Sequence, residues 1–539
     1  MKFLSLLVCL AFLPISGMSQ PRFDVVETTI AEIHSAYASG LLTSRQLTQL
    51  YLDRIEAYDQ QGPTINAVIT LNADALQDAD RLDEAFQATG LVGSLHGIPV
   101  VIKDQVDVVG MPTTLGSILF RDYYPDRDAF AIEKLKEAGA IILAKVTLGE
   151  LAGGDTHGSL FGSTRNPYAL DRTVGGSSGG SAASVAANFA TIAVGQEGFA
   201  SIRRPSAWNS IVGIRPSAGL VSRGGVFAGW PQLSGSLGPM ARTVEDLVVL
   251  LDVLVGYDPE DPLTAHGVTH HSGSFSRFLD ADGLNGSRLG ILRESIGVAS
   301  EPESEDFAKV DAMFERSIAE LRAAGAIVVD PIIISDISEL LGNRSSLSPT
   351  ENDESFREYF GRSSRAPFAS LEEMIVVPEF DEVTRYARVR FRAMLNTGIE
   401  LDRYVEPSSR GPYSGTEVGS SRHYNYLVAR DQLMHNILKA MADHQLDAIV
   451  YKAVEHQPTL IEDGLTPPFV NTKGVPFLNT FLVYVPAIVV PSGFTTDNLP
   501  VGITFMGRPY DDGAMLRLAY AYEQATHHRR PPSTTPPID

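Results

Sequence analysis

A run of glycine and serine is the segment of this sequence best suited to do chemistry. Residues 175–181 read Gly-Gly-Ser-Ser-Gly-Gly-Ser, and a stretch of small residues typical of a helix follows over 182–189. A cluster of this kind is often only a flexible loop. The loop, however, lies between core-like elements earlier and later in the chain, where a flexible linker is not expected. We therefore favour a functional role for the serines of this loop.

One such role would be the nucleophile elbow of an α/β-hydrolase. Residues 176–180 fit its G-x-S-x-G pattern, in which the serine follows a buried strand directly. The preceding residues 164–173 are mostly polar and contain Pro167, so no such strand is predicted. The elbow is therefore not favoured.

Two other segments complete a more specific pattern. Residues 96–104 read His-Gly-Ile-Pro-Val-Val-Ile-Lys-Asp, and residues 195–205 read Gly-Gln-Glu-Gly-Phe-Ala-Ser-Ile-Arg-Arg-Pro. With the glycine and serine loop, they resemble the amidase signature family. The resemblance extends over roughly residues 27–526, and its most specific part is the signature core at about 97–246. Further matching segments are residues 161–168, 213–217, 486–493 and 499–502.

The resemblance implies a catalytic triad of two serines and a lysine. Lys103 matches the base of the family, and Ser177 matches its bridging serine, which follows a cis peptide bond. Ser201 matches the nucleophile. The separations of 74 and 24 positions between these residues are similar to the spacing in the family.

This chemistry needs a lysine that is neutral. A serine hydroxyl is a weak nucleophile and requires a base. The pKa of an unperturbed lysine is about 10.4, and lowering it by about 3 units requires roughly 4 kcal/mol. Residues 98–102 are all apolar and could supply the desolvation that lowers the pKa of Lys103. Ser177 would relay the proton between Lys103 and Ser201 and then to the leaving amine.

The resemblance also implies an oxyanion hole made of backbone N–H groups. Its donors here would be those of Gly198, Phe199, Ala200 and Ser201. The family usually has Asp-Thr-Gly-Gly before its nucleophile, whereas this chain has Glu197-Gly-Phe-Ala. Backbone donors do not require glycine, so we expect a reshaped acyl pocket with Phe199 near the substrate. A scaffold that has lost its activity is the alternative.

Three residues have expected supporting roles in this site. Gly176 precedes Ser177, and glycine tolerates the strained backbone that the loop requires. Ser178 is expected either to hydrogen-bond within the site or only to shape the loop. Arg203 matches a family arginine beside the nucleophile, and we expect it to orient the loop rather than to contact substrate.

Other candidate clusters favour simpler interpretations. Four arginines lie close together: Arg385, Arg388, Arg390 and Arg392. They could bind a substrate carboxylate, but a solvated helix face beside acidic neighbours is favoured. His266, His270 and His271 include a pair four residues apart but no third ligand, so no metal site is predicted. No phosphate-binding G-x-x-x-x-G-K-[ST] motif occurs, and no cofactor is expected.

The elements expected around these residues alternate between helix and strand. A helix over residues 128–138 leads through a glycine into a strand over 140–146, and a helix over 304–324 leads likewise into a strand over 326–329. Such alternation is typical of α/β folds with a buried, parallel sheet. With the resemblance, it predicts an α/β fold with a large mixed, mostly parallel twisted sheet, covered by helices on both faces.

No low-complexity linker divides the 539 residues of the chain. We therefore expect a single amidase domain over residues 20–539. Residues from about 332 to 421 are rich in Ser, Arg and Pro, and an irregular insertion near the substrate pocket is predicted there. The Pro-rich tail from Arg529 is expected to be frayed.

The first 19 residues have the features of a secretory signal peptide. Lys2 precedes an almost wholly apolar run over residues 3–15, and Gly17 and Ser19 provide small residues, so cleavage is expected near Ser19. A short buried N-terminal helix is the alternative. Cleavage would remove the only cysteine, Cys9, and leave a periplasmic or secreted protein without disulfides or thiolate metal sites.

The charge balance narrows the function further. Lys and Arg number 43 against 65 Asp and Glu, which gives a formal net charge of −22. Such a chain repels phosphate backbones, so nucleic-acid binding is disfavoured.

We predict an exported amidohydrolase that cleaves a linear carboxamide of a small molecule through a serine acyl-enzyme. Some family members also cleave esters.

Two alternative functions stay open at this point. One is a component of an amidotransferase that works with a partner enzyme, and the other is a non-catalytic binding protein with the same fold. No transmembrane anchor is expected in the mature chain. The sequence predicts neither the acyl and amine specificity nor the oligomeric state.

Overall fold

The computed structural model describes most of the chain. Described are residues 23–227, 235–271, 273–342, 349–394, 421–476, 478 and 484–538. The predicted signal peptide over residues 1–19 lies outside this part and stays a prediction. None of the helices within the described ranges is long and apolar enough to cross a membrane.

Eleven strands form one mixed sheet. In chain order they are β1 (Val68–Leu71), β2 (Pro99–Lys103), β3 (Ile141–Val146), β4 (Ile192–Glu197), β5 (Val212–Arg215), β6 (Ser236–Ala241), β7 (Arg288–Leu292), β8 (Ile327–Ile332), β9 (Ala448–Lys452), β10 (Ala487–Phe494) and β11 (Pro500–Met506).

The sheet is parallel on its flanks and antiparallel in its centre. Its order is β1-β3-β2-β4-β6-β5-β10-β11-β9-β7-β8. β2 is parallel to both β3 and β4, and β7 is parallel to both β8 and β9. The pairings between β4 and β9 through the centre, and that of β1 with β3, are antiparallel.

The predicted α/β fold with a large mixed sheet is thus confirmed, while its parallel character is confined to the flanks. The helix–glycine–strand units that suggested a parallel sheet end in β3 and β8, which lie on those flanks. In the centre, β10 and β11 are joined by a short turn, and a short connection forces antiparallel pairing.

The described residues form sixteen α-helices. In chain order they are α1 (Ile30–Ala38), α2 (Ser44–Ile55), α3 (Ala75–Thr89), α4 (Phe130–Glu137), α5 (Gly179–Ala186), α6 (Arg203–Trp208), α7 (Val244–Leu254), α8 (Thr264–His270), α9 (Glu305–Ala323), α10 (Ile337–Gly342), α11 (Pro349–Phe360), α12 (Leu371–Val376), α13 (Arg385–Met394), α14 (Ser421–Asp443), α15 (Ile461–Leu465) and α16 (Asp512–Thr526).

The strands that carry the candidate site lie in the largest hydrophobic core. β2, β3 and β4 are buried along their whole length, and α5 and α7 pack beside them. Strands covered on both faces read as continuous apolar runs, as residues 98–102 do. A charged side chain at the end of such a strand is therefore withdrawn from water.

The segment before the glycine and serine loop contains a short strand that the sequence did not predict. Ala169–Thr173 pairs with Arg165–Asn166 in a two-stranded sheet of its own. It is largely half-buried and is not a strand of the central sheet. The buried strand that a nucleophile elbow requires is thus not found at this position.

The predicted irregular insertion is largely helical where it is described. Between residues 332 and 394 the chain forms α10, α11, α12 and α13. Its serines and prolines separate and cap short helices, as Ser370 does by accepting from the N–H of Glu373 at the start of α12. Aromatic and aliphatic side chains of these helices pack on the segments after β2 and β3: Leu115, Phe120, Tyr123 and Leu151 against Phe356, Phe360, Met374 and Phe391.

The C-terminal tail is anchored, so the prediction that it is frayed is wrong. Arg529 donates to both carboxylate oxygens of Glu27 at 2.7 Å and to the carbonyl oxygen of Ser210 at 2.7 Å. Arg54 donates in turn to the carbonyl oxygens of Thr535 and Pro536, at 2.7 and 2.9 Å. These long-range bonds hold a segment whose local composition gives no sign of order.

Candidate active site

Lys103 lies at the carboxyl end of β2, fully shielded from solvent. The parallel strands β3 and β4 flank it on either side. Its Nζ donates to Oγ of Ser177 at 2.7 Å and to the carbonyl oxygen of Gln196 at 3.2 Å. β2 thus positions the amine of Lys103 against the glycine and serine loop.

The two serines continue a hydrogen-bonded chain from this amine. Oγ of Ser177 lies 2.9 Å from Oγ of Ser201, and either hydroxyl can donate because its hydrogen rotates. The peptide bond between Gly176 and Ser177 is cis, where the family resemblance implies one. The structure therefore brings together the three side chains that the sequence predicts as a triad.

The surroundings of Lys103 favour its neutral form. Burial lowers the pKa of Lys103 well below its usual value, because a low-dielectric interior disfavours the ammonium ion. The Glu197 carboxylate raises this pKa, and the Arg390 guanidinium lowers it. Among the described residues, no carboxylate lies within ion-pair distance of Nζ, so the effect of burial prevails.

Ser178 ties the loop to β4 and to the nucleophile. Its Oγ donates to the carbonyl oxygen of Gln196 at 3.1 Å and accepts from the N–H of Gln196 at 3.2 Å. Its own N–H donates to the carbonyl oxygen of Ser201 at 3.1 Å. Of the two expectations for Ser178, hydrogen bonding within the site is the one that the geometry supports.

Gly176 has a packing role in the same loop. A Cβ on Gly176 would lie 2.3 Å from the carbonyl oxygen of Gly154, which only glycine avoids. The facing segment is also hydrogen-bonded to the loop, since the N–H of Gly149 donates to the carbonyl oxygen of Ser177 at 3.0 Å. The loop that carries Ser177 is therefore fixed from two sides.

Glu197 and Arg203 hold the turn that carries the nucleophile. Oε2 of Glu197 accepts from the N–H groups of Ile202 and Arg203, at 2.9 and 3.0 Å. Arg203 donates through Nε to Oε1 of Glu197 at 2.7 Å and through Nη1 to the hydroxyl of Tyr451 at 2.8 Å. Both charged side chains are buried, which agrees with the orienting role expected of Arg203.

A third bond of Arg203 sets the direction of a peptide group in this turn. Its Nη2 donates to the carbonyl oxygen of Phe199 at 3.0 Å. In a trans peptide, the carbonyl and the following N–H point in opposite directions. The N–H of Ala200 therefore points away from the buried guanidinium.

The predicted oxyanion-hole donors are the backbone N–H groups of this same turn. Within the described part of the chain, the N–H groups of Gly198, Ala200 and Ser201 donate to no other group. Residues 198–201 all lie outside the left-handed region of backbone conformation. Phenylalanine and alanine are therefore accommodated without strain where the family usually has glycine.

Phe199 forms an apolar wall beside this turn. Its side chain is half-buried and packs against a hydrophobic cluster that includes Leu433 on α14, Leu478 and Tyr451 on β9. The cluster residues Leu433, Tyr451 and Leu478 follow the helical insertion and thus lie far from Phe199 in the sequence. The position of Phe199 in an acyl pocket stays a prediction.

The remaining candidate residues contact groups outside the triad, and one of them also acts on Lys103 electrostatically. The three histidines contact aromatic rings: His266 with Tyr484, His270 with Tyr510 and His271 with Phe275. Of the four arginines, Arg388 and Arg392 donate to Asp381, whereas Arg385 lies over the ring of Phe469. Arg390 is the one whose charge acts on Lys103.

Sequence reasoning missed several residues of this site. Tyr451 lies 248 positions from Arg203, so no local motif could link them. The role of Glu197 had a partial signal, because a carboxylate stands where the family has one. Arg390 was considered only as a member of a charged cluster, and spacing alone could not single it out.

The arrangement can carry out acyl transfer. A serine hydroxyl contacts a second hydroxyl that can relay a proton, and this one contacts a buried amine that favours its neutral form. Backbone N–H groups that donate to no other described group lie beside the nucleophile. No group of three metal-ligating side chains occurs in the described ranges.

Known proteins with a similar sequence or fold include amidases and amidotransferase subunits. The sequence model of the Amidase family matches residues 46–516. A probable amidase of Arabidopsis thaliana is 32% identical over 526 residues, which cover 95% of this chain and 92% of the relative. A glutamyl-tRNA(Gln) amidotransferase subunit of Thermosynechococcus vestitus is 32% identical, with coverage of 94% and 99%.

A solved structure shows the same likeness. The native peptide amidase from Stenotrophomonas maltophilia aligns with a TM-score of 0.76 at 32% sequence identity. The alignment covers 94% of this chain and 99% of the peptide amidase. The two proteins therefore share their fold over nearly their whole length.

Proposed function

The chain belongs to the amidase family, and we propose that it hydrolyses a linear carboxamide through an acyl-enzyme on Ser201. The observation that carries this proposal is the hydrogen-bonded chain from Lys103 through Ser177 to Ser201. It begins at a buried amine whose pKa is lowered and ends at a hydroxyl beside undonated backbone N–H groups. This combination supplies a base, a relay and a nucleophile in contact with one another.

In the first half of the reaction, Ser201 becomes acylated. Ser177 takes the proton of Ser201 and passes its own to neutral Lys103, while Oγ of Ser201 bonds to the amide carbonyl carbon. The oxygen that becomes negative is stabilised by the N–H groups of residues 198–201. The carbon–nitrogen bond then breaks, and the proton returns through Ser177 to the leaving nitrogen, so that ammonia or a neutral amine departs.

In the second half, water releases the acid. The water attacks the acyl carbonyl carbon and gives up a proton through Ser177 to Lys103. Collapse breaks the ester bond, and Oγ of Ser201 regains its proton along the same route. An ester substrate would follow these steps with an alcohol as the leaving group, so side activity on esters is also proposed.

The direct test is covalent labelling together with hydrolysis of an amide panel. A fluorophosphonate is expected to label the parent protein, and Ser201→Ala is expected to lose both labelling and hydrolysis. The matched control is Ser206→Ala on α6, whose hydroxyl donates within the helix to the carbonyl oxygen of Ile202 at 2.8 Å. This control is expected to keep both.

Two results would contradict the proposal. Full hydrolysis by Ser201→Ala would remove Ser201 as the nucleophile. Folded parent protein that neither reacts with the fluorophosphonate nor cleaves any amide would favour a non-catalytic binding protein instead.

A second candidate function is that of an amidotransferase component. It is supported by the amidotransferase relative, which the alignment covers over 99% of its length. The ammonia formed at Ser201 would then pass to a partner enzyme rather than to solvent. Purified chain that releases ammonia alone would support the hydrolase, whereas activity only with a co-purifying protein would support the amidotransferase.

We further propose that the protein is exported to the periplasm or secreted. The support is the amino-terminal pattern of Lys2, the apolar run over residues 3–15 and the small residues up to Ser19. Expression of the full chain in a bacterium should give mature protein that begins near residue 20. Cytosolic protein whose amino terminus still carries residues 1–19 would contradict export.

A further inference from the structure

Helix α13 carries four arginines whose surroundings differ. Arg388 and Arg392 donate to the carbonyl oxygen and to the carboxylate of Asp381, each at 2.7 Å. Arg390 has no ion pair among the described residues, and neither has Arg385. Within the described residues, only Arg392 of these four pairs with a carboxylate, whereas Arg388 donates to a backbone carbonyl oxygen.

Arg390 contacts a loop that is also hydrogen-bonded to the backbone of Ser177. Its Nη1 donates to the carbonyl oxygen of Leu151 at 3.0 Å. A Cβ on Gly153 would lie 2.3 Å from the same nitrogen, so the absence of a side chain there makes room for the guanidinium. The other end of this loop donates from the N–H of Gly149 to the carbonyl oxygen of Ser177. The loop over residues 149–153 thus contacts both the Arg390 guanidinium and the backbone of Ser177.

A single hydrogen bond leaves most donors of this guanidinium unused. Arginine has five N–H donors in a planar fork and is always charged. In the described part of the chain, Leu151 is the only hydrogen-bond acceptor that Arg390 contacts. Because Arg390 is half-buried, solvent replaces the missing acceptors only in part.

Buried arginines elsewhere in this chain have either a carboxylate or several carbonyl oxygens as acceptors. Arg54 and Arg242 donate to four and three backbone carbonyl oxygens. Arg203, Arg204 and Arg223 are buried, and each forms an ion pair with a carboxylate at 2.7, 2.5 and 2.7 Å. The chain has 22 more acidic than basic residues, so carboxylates are abundant. Arg390 is half-buried, and within the described residues it has one carbonyl acceptor and no carboxylate, so an anion from outside would fit there.

The charge of Arg390 also affects the candidate base, Lys103. The Arg390 guanidinium lowers the pKa of Lys103, because a positive charge disfavours the ammonium form of that amine. An anion bound at Arg390 would therefore lie within the field of the triad. Phe199, two residues before the nucleophile, packs instead against a hydrophobic cluster.

We propose that Arg390 binds a carboxylate of the substrate, so that the substrates are amides that carry a second, negatively charged group. The planar fork of a guanidinium matches a carboxylate through two parallel hydrogen bonds, which favours carboxylate over other anions. This inference rests on the proposed amidase function. Arg390 is then a residue that determines specificity, and the triad carries out the reaction as described above.

Matched pairs of amides test the proposal. Glutaramic acid is compared with pentanamide, and N-acetyl-β-alanine with N-propylacetamide, so that a methyl group replaces the carboxylate on the acyl or on the amine side. The measured quantity is the ratio of kcat/KM for the charged amide to that for its neutral partner. A ratio within one variant cancels changes in the folded fraction and in the pKa of Lys103.

The parent is expected to prefer the charged amide of at least one pair. Arg390→Met, which keeps the apolar stem, should lower this ratio about 10- to 100-fold, since hydrogen bonds to charged groups contribute about 1.5–3 kcal/mol. Arg390→Lys should lower it less, because the charge stays but the fork is lost. Arg388→Met is the matched control on the same helix, and its ratio should equal that of the parent.

Each other outcome overturns the inference. A parent that prefers the neutral amide in both pairs, or an Arg390→Met variant that keeps the parental ratio, would exclude Arg390 as the anchor. An equal loss in Arg388→Met would assign the effect to the helix as a whole. If the parent cleaves neither pair and is not labelled at Ser201, the proposed amidase function fails as well, which separates the two failures.

Discussion

Two buried lysines on neighbouring strands differ in what surrounds them. Lys103 ends β2, Lys145 lies on β3, and both are fully shielded from solvent. Nζ of Lys145 lies 2.9 Å from Oδ1 of Asp104, with which it forms an ion pair. Nζ of Lys103 instead contacts the hydroxyl of Ser177 and a backbone carbonyl oxygen, both uncharged.

The comparison shows that burial alone does not make a base of lysine. A carboxylate at ion-pair distance stabilises the ammonium ion and gives Lys145 a structural role. Two uncharged oxygens do not offset the cost of desolvation, so the interior favours the neutral amine of Lys103. The difference arises from one neighbouring residue, since Asp104 follows Lys103 in sequence yet pairs with the lysine of the next strand.

The largest expected effect is the loss of activity in Lys103→Met. Without a base, kcat/KM should fall by about 10⁴-fold, near the upper limit for general-base catalysis. The free energy of unfolding should not fall, because an amine without a counter-ion is replaced by an apolar side chain. Steady-state kinetics and urea unfolding measure both quantities, and an active Lys103→Met variant would break the comparison.

Lys145→Met should have the opposite profile. Removal of one partner leaves Asp104 buried and unpaired, so the free energy of unfolding should fall by about 3–5 kcal/mol. The kcat of the folded fraction should stay close to that of the parent. Urea unfolding checks the first value, and the double variant with Asp104→Asn should recover part of the loss. A stable but inactive Lys145→Met variant would contradict a structural role.

The pH profile sharpens the comparison further. Since the ammonium form of Lys103 cannot accept a proton, kcat/KM should fall as the pH falls through its lowered pKa. Arg390→Met removes a charge that lowers this pKa, so the pKa rises and the acid limb of the profile should move to higher pH. Arg388→Met serves as the control. A shift to lower pH would show that Lys103 is not the titrating group.

The smallest expected effect concerns a hydroxyl beside Lys145. Oγ1 of Thr113 accepts from Nζ of Lys145 at 3.2 Å, alongside the carbonyl oxygen of Pro112. Thr113→Val removes this acceptor and should lower the free energy of unfolding by about 1 kcal/mol. Hydrolysis should be unchanged. A loss of activity comparable to that of Lys103→Met would mean that the two lysines are coupled.

The candidate triad was predictable because each member lies in a short motif. Lys103, Ser177 and Ser201 were identified from segments of about ten residues, and the structure brings these side chains together. The anchored tail and the helices of the insertion were not predictable in this way. Arg529 is ordered by Glu27, which lies 502 positions earlier, and composition carries no trace of such a contact.

By itself, the sequence determined the family, the α/β class, the mixed sheet and the positions of three reactive side chains. These features are encoded locally, in apolar runs that must be buried and in glycines where larger side chains would clash. The tertiary structure alone decided the antiparallel centre of the sheet, the pairing of Asp104 with Lys145 and the position of Arg390 beside the site. Each depends on which distant segments become neighbours, and electrostatic interactions depend on distance in space rather than along the chain.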